Sequence, residues 1–153
     1  MDIKIRPANI SDLDAINQLI ESAIMIWNLP QRVKRLSLSS VTYSEHDFQH
    51  YQITVAEISN TLTGVLILDH DTYRKEKTCL IHGIYVDPEW QKKGIGTRLL
   101  KEAETLALAK KSMKILVKAQ RDAQDFFIAS GMNRIPVEKE QNDYAMRYVK
   151  KLN

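Results

Sequence analysis

The chain contains one cysteine, Cys79, which leaves no disulfide framework and no cysteine-based metal site. A small buried apolar role is expected for it. No apolar run approaches the roughly 20 residues that a membrane span needs. The opening MDIKIRPANI lacks the hydrophobic stretch of a signal peptide. Charge of either sign is in small excess only: 22 Lys and Arg against 19 Asp and Glu, a net of +3. That falls short of the clustered basic face of a nucleic-acid-binding protein, and a local anion site accounts for it. Glycine and proline are scarce, with 5 and 4 copies, so no flexible linker divides the chain. Histidines 46, 50 and 70 show no HxH or HExxH spacing, and no metal site is expected. The expectation is one domain over residues 1–153, cytoplasmic, with neither a membrane nor a nucleic-acid partner.

Hydrophobic residues make up 44% and charged residues 27%, ordinary for a globular core. Periodicity places the elements. DIKIRP alternates as a strand and stops at Pro7. Leu13, Ile16, Leu19, Ile20, Ala23 and Ile24 recur at helical spacing behind Ser11. Trp27, Asn28 and Pro30 interrupt this pattern, and Val33, Leu36 and Leu38 suggest a short second helix with a basic side. YQITVAEI, residues 51–58, and GVLILDH read as paired strands, with a turn expected around Gly64. TCLIHGIYV, residues 78–86, is nearly all apolar and reads as a central strand covered on both faces. Residues 96–110 carry the strongest amphipathic helix, residues 113–119 a further strand, and 122–130 a short helix closed by Gly131. Segments 131–137 and 144–149 complete a mixed α/β order, β-α-α-β-β-β-α-β-α-β-β.

The most informative stretch is YVDPEWQKKGIGTRLL, from Tyr85 to Leu100. It joins a buried strand to a strong helix through Gly94 and Gly96. The first N–H groups of a helix have no acceptor inside it, and the helix dipole adds partial positive charge. Such an end suits a phosphate or pyrophosphate. Glycine permits positive φ and removes Cβ atoms from the approach. Lys92, Lys93 and Arg98 add charge nearby. No GK[ST] follows, so this is not a Walker loop, and Leu99 stands where GxGxxG needs its last glycine.

The run Gln91-Lys92-Lys93-Gly94-Ile95-Gly96, behind a strand and Asp87-Pro88, resembles the Q/R-x-x-G-x-G/A acetyl-CoA loop of the GNAT N-acetyltransferases. IKIRPANISDLDAI resembles that family's first strand and helix, and AQDFFIASGM, residues 123–132, its A-x-x-F-Y-x-x-x-G-F segment. The resemblance implies a mixed, mostly antiparallel sheet of about six to seven strands flanked by about four helices. It implies acetyl-CoA as co-substrate, no metal, and an amine acceptor that attacks the thioester directly. The backbone around Lys92, Lys93, Gly94, Ile95, Gly96 and Thr97, with Gln91, would hold the pyrophosphate. The strand at Ile84, Tyr85 and Val86 would pair with the pantetheine arm, and one N–H there would polarise the thioester carbonyl. Gln120 stands where the family often has an Asn that contacts the cofactor. Dimerisation is common in the family, and the C-terminal strands could support a homodimer.

His82 is the leading base, since a Glu occupies the matching place in some relatives that act on small amines and imidazole titrates near neutrality. The alternative for His82 is a core histidine with one satisfied hydrogen bond. Phe127 stands where the family usually has a tyrosine acting as general acid, and it cannot donate a proton. Tyr85 and Tyr144 are the possible substitutes, or else packed aromatics. Glu57 is a reserve base, more simply a solvent-facing strand residue. Trp27, Arg32, Lys34, Arg35 and Tyr43 could face an acceptor, and the basic ones would favour one carrying a carboxylate; the simpler reading is a solvated helix face with an aromatic anchor. Two further functions fit the loop equally: a non-catalytic acyl-CoA sensor, and a protein lysine acetyltransferase with an open groove.

Overall fold

The computed structural model describes residues 2–135 and 145–153. Its elements are β1 (Lys4–Pro7), α1 (Leu13–Met25), α2 (Gln31–Val41), β2 (Gln52–Ile58), β3 (Thr61–Asp69), β4 (Thr78–Val86), α3 (Ile95–Ala109), β5 (Lys114–Gln120), α4 (Gln124–Ala129), β6 (Asn133–Ile135) and β7 (Ala145–Lys151). The strands form one seven-stranded sheet in the order β1-β2-β3-β4-β5-β7-β6. Every pairing is antiparallel except β4 with β5. The element order is the one the sequence pattern indicated, and the mixed, mostly antiparallel sheet with four α-helices is the architecture the family resemblance implied.

Alternation along β3 builds two cores. Val65 and Ile67 face α1, where they join Ile16, Leu19, Ile20 and Ile24. Leu66 and Leu68 face α3, where they join Leu99, Leu100, Ala103 and Ala107. Each buried Leu or Ile contributes about 1.5–3 kcal/mol. The two helices therefore clamp the central strands from both sides.

The β2–β3 turn does not fall at Gly64. It falls at Ser59 and Asn60, whose φ values of 50° and 65° make the two-residue turn that suits strand twist. Gly64 lies inside β3 for another reason. A Cβ there would sit 2.8 Å from Leu99 Cδ1 and 2.9 Å from Ile95 Cγ2. The missing side chain lets the first turn of α3 settle on the sheet, and this brings the helix N-terminus to the end of β4.

The sheet opens at one place. β4 pairs with β5 only from Thr78 to Ile81, opposite Lys114 to Val117. On the other side of β4, Ile67 pairs with Gly83 but Leu68 pairs with Ile81, so His82 is an extra residue in a β-bulge. A bulge bends its strand and sharpens the local twist. Beyond it β4 stays with β3 and leaves β5. The replacement Gly64→Val is expected to destabilise the fold by about 1–3 kcal/mol through overpacking. Urea unfolding checks this, and an unchanged midpoint would contradict the close helix–sheet contact.

Candidate active site

The parting of β4 and β5 leaves a groove of about 460 Å³, lined by Ile84 and Val86 on one side, Ala119 and Phe126 on the other, and Gly94 and Gly96 at its end. Asp87 N–H donates to Thr63 O at 2.9 Å, so Asp87 faces β3. Antiparallel alternation then gives the backbone groups of Tyr85 and Gly83 to β3 and turns those of Ile84 and Val86 into the groove. One of these is already engaged: Gln91 Nε2 donates to Val86 O at 3.0 Å. The remaining groups form a short free strand edge.

At the end of this edge the chain turns tightly. Asp87 caps the turn by accepting from Glu89 N at 2.9 Å. Lys92 and Gly94 take left-handed φ values of 59° and 83°. Arg98 N–H is bonded to Gly94 O at 3.1 Å, which leaves Ile95, Gly96 and Thr97 N–H without a helical acceptor. A Cβ on Gly94 would meet nothing within 4 Å, so Gly94 serves the backbone conformation and an unfilled space. A Cβ on Gly96 would lie 3.3 Å from the Phe126 ring, so Gly96 serves helix packing. Lys92, Lys93 and Arg98 are exposed around this point. The arrangement fits a pyrophosphate: free N–H groups at a helix start, open space and cationic surroundings.

The bulge points His82 to the α1 side of the sheet, into an aromatic cluster. Tyr43 Oη lies 2.5 Å from His82 Nδ1, and Tyr51 Oη lies 3.5 Å from Nε2. The Tyr51 ring stacks on the imidazole at 4.6 Å. Asn17 fixes Tyr43 from α1, donating to its carbonyl at 2.9 Å and accepting from its N–H at 3.0 Å. Burial lowers the His82 pKa, opposed by Asp69 and Asp47 and assisted by Lys118. Burial raises the Tyr43 hydroxyl far above its ordinary value, so it stays protonated. Asp69 stays ionised. Burial works against this, but hydrogen bonds from the Thr72 hydroxyl and the Asp71 and Thr72 N–H groups outweigh it.

A second cavity, of about 620 Å³, meets the groove at His82. It lies between α2, through Val33, Ser37 and Ser40, and the sheet, through Leu80, Asp69 and Lys118. Trp27, Tyr85 and Gln120 line both spaces. Tyr85 is buried, its ring stacked on Trp27 at 6.4 Å, and burial pushes its hydroxyl up to about 12. That ring also explains Gly83, where a Cβ would come within 2.5 Å of it. Gln120 turns its Oε1 to Asp122 N at 2.8 Å.

Several candidates sit elsewhere than expected. Lys34 is buried and caps α1 by donating to Met25 O at 3.0 Å. Arg32 and Arg35 are exposed and line neither space. Tyr43 faces His82, not an acceptor. Glu57 is not solvent-facing and lines neither space at His82; it is buried and paired with Arg6 at 3.3 Å. Phe127 lines the groove but is 2% exposed, stacked on Tyr148 at 6.2 Å. Tyr144 lies outside the described residues. Tyr51, Asp69 and Lys118 were missed: Tyr51 stacks on His82, while Asp69 and Lys118 share its cavity and act on it through charge, and no local pattern marks that meeting. His46 and His50 share a 2.9 Å Nε2–Nε2 contact away from the site, and His70 bonds Gln52 at 2.7 Å.

A free strand edge, a helix-start anion cradle and a half-buried imidazole border one groove. The model of the acetyltransferase (GNAT) family matches residues 21–132, and the chain belongs to that family. Solved structures share the fold. The PaiA N-acetyltransferase of Thermoplasma acidophilum, solved with coenzyme A, is 18% identical with a TM-score of 0.80, over 99% of each chain. An N-acetyltransferase of Staphylococcus aureus Mu50 is 19% identical with a TM-score of 0.72, over 100% of each. The ribosomal-protein-S18-alanine N-acetyltransferase of Escherichia coli is 14% identical with a TM-score of 0.69, over 99% of this chain and 93% of that one. No curated protein matches the sequence significantly.

The His82 environment predicts a titration. Its folded pKa lies below the ordinary imidazole value, so the folded state disfavours the proton that the unfolded chain accepts. Stability is expected to be full above the ordinary value and to fall as pH drops through the lowered one. NMR titration of the imidazole checks this, and a pKa at or above about 6.5 would contradict the burial argument.

Proposed function

We propose that this protein transfers an acetyl group from acetyl-CoA to a primary amine by direct attack on the thioester. The observation that carries the reading is continuity: one groove runs from the free N–H groups of α3, along the Ile84–Val86 edge, to His82. Acetyl-CoA supplies an activated acyl thioester. Ile95, Gly96 and Thr97 N–H hold its pyrophosphate, with Lys92 and Lys93 adding charge. Ile84 and Val86 pair with the pantetheine amides as an added strand would. An N–H of this edge stabilises the charge that develops on the thioester oxygen.

The amine enters from the α2 side. His82, held neutral by burial, takes a proton from the incoming ammonium, directly or through the Tyr51 hydroxyl, and the free amine so formed attacks the thioester carbonyl. Tyr43 anchors the other ring nitrogen. The leaving thiolate is a weak base, with a thiol pKa of about 8.5. Tyr85, at about 12, therefore offers it a hydrogen bond and keeps its own proton. This answers the absence of a hydroxyl at Phe127: with a thiolate leaving group, full protonation in the transition state is dispensable.

Phe127 equally suits a non-catalytic acyl-CoA sensor, and kinetics separate the two. Replacement Gly94→Asp adds a Cβ that meets nothing within 4 Å and a carboxylate beside the anion cradle, at a left-handed φ that costs about 1–2 kcal/mol. Acetyl-CoA affinity is expected to fall at least about tenfold with the fold retained. Wild-type affinity by calorimetry would overturn the cradle. Replacement His82→Ala is expected to lower kcat about 10²- to 10⁴-fold and to remove the acid limb of the pH–rate profile. An unchanged limb would make His82 structural, and acetyl-CoA binding without transfer to any amine would favour the sensor.

A further inference from the structure

The sheet face beyond α2 carries an unusual register. On β5 and β7, Lys114 stands opposite Lys151 and Lys118 opposite Arg147, with Leu116 and Val149 between them. Tyr148 and Val117, of the other parity, are buried under α3 and α4. The four cations therefore share the opposite face, the one on which His82 lies. Lys118 and Lys151 are exposed, and Lys114 and Arg147 are half-buried. None of the four forms an ion pair with a described residue. Like charges directly opposite one another across a sheet are destabilising. Two such pairs in succession, with no acid ion-paired to them among the described residues, define a strip that an anionic ligand would relieve.

The strip leads into the site. Lys118 lines both spaces that meet at His82. Lys114 and Lys118 are four residues apart, about 13 Å along the strand. An extended polypeptide with acidic side chains at that spacing matches the two cationic pairs, and half-buried Val149, backed by buried Leu116, would receive an apolar residue between them. Ionised Asp69, at the inner end, attracts the ammonium group. We infer that the acceptor is an amine carried on an acidic polypeptide, which lies across β5 and β7 and feeds the amine to His82. This rests on the acetyltransferase reading for the fate of the amine, but the docking stands on the register alone. A nucleic acid would find the charge but offers no aliphatic amine, and its phosphates have no use for the apolar pair.

The test uses a hexapeptide with a free N-terminal alanine, four glutamates and one leucine, labelled at its C-terminus, beside a glutamine counterpart. Fluorescence anisotropy reads docking without any transfer, and thiol release reads transfer. The acidic peptide is expected to bind at least about tenfold tighter than the neutral one, with the difference shrinking in high salt. The double variant Lys114→Glu/Lys151→Glu lies away from the catalytic groups. It should abolish the difference and leave acetyl-CoA affinity and the rate on the neutral peptide unchanged. The milder Lys114→Gln/Lys151→Gln guards against misfolding and should give an intermediate loss. Equal binding of both peptides, a preference for spermidine, or competition by a single-stranded oligonucleotide with no acidic-peptide binding would each overturn the inference. Loss of acetyl-CoA binding alone, with peptide docking intact, would instead overturn the acetyltransferase reading.

Discussion

The site depends on one extra residue in one strand. Without the bulge at His82, β4 would continue beside β5 and the sheet would close. Its backbone groups at Ile84 and Val86 would be spent on a neighbouring strand. With the bulge, the same groups face a groove, and an imidazole is aimed out of the opposite face of the sheet. A buried free strand edge is costly to leave unpaired. It persists here because α1 and α3 clamp the central strands from both sides, and because a ligand's amides can complete it.

The supporting structure is fitted to that opening. Gly64 lets α3 settle on β3, which sets the helix N-terminus against the end of the free edge. Gly83 leaves room for the Tyr85 ring, which stacks on Trp27 between the two spaces. Asn17 holds Tyr43, and Tyr43 holds His82. Across the outer side, Asn28 N–H donates to Asp122 at 2.8 Å, tying the α1–α2 loop to the turn before α4. Each contact couples a site residue to an element whose own burial is independent of chemistry.

Much of this was legible in the chain. Alternation, helical periodicity and, for residues 78–86, a continuous apolar run gave the strands and α-helices in order, because these elements pack against two cores. The glycine loop was legible because its function depends on backbone that only a few residue types allow. Gly64 was misread as a turn because a glycine in a strand looks the same whether it bends the chain or admits a helix. The turn belonged to Ser59 and Asn60. The surroundings of His82 were not legible. Tyr43, Tyr51 and Asp69 meet it from three separate segments, through a bulge that leaves no compositional trace. For the basic residues of α2, charge left open an acceptor contact beside the simpler solvated helix face, and the helix takes the simpler course for Arg32 and Arg35, turning them outward and Val33 and Ser37 inward.

The central claim is that the edge freed by the bulge receives the cofactor arm. Amide hydrogen exchange with and without acetyl-CoA, read residue by residue, tests it most directly. The account predicts new protection at Ile84, Val86 and Ile95 to Thr97, with little change at Gly83 and Tyr85, whose groups already pair with β3. Protection confined to the helix start, or absent from both, would contradict it.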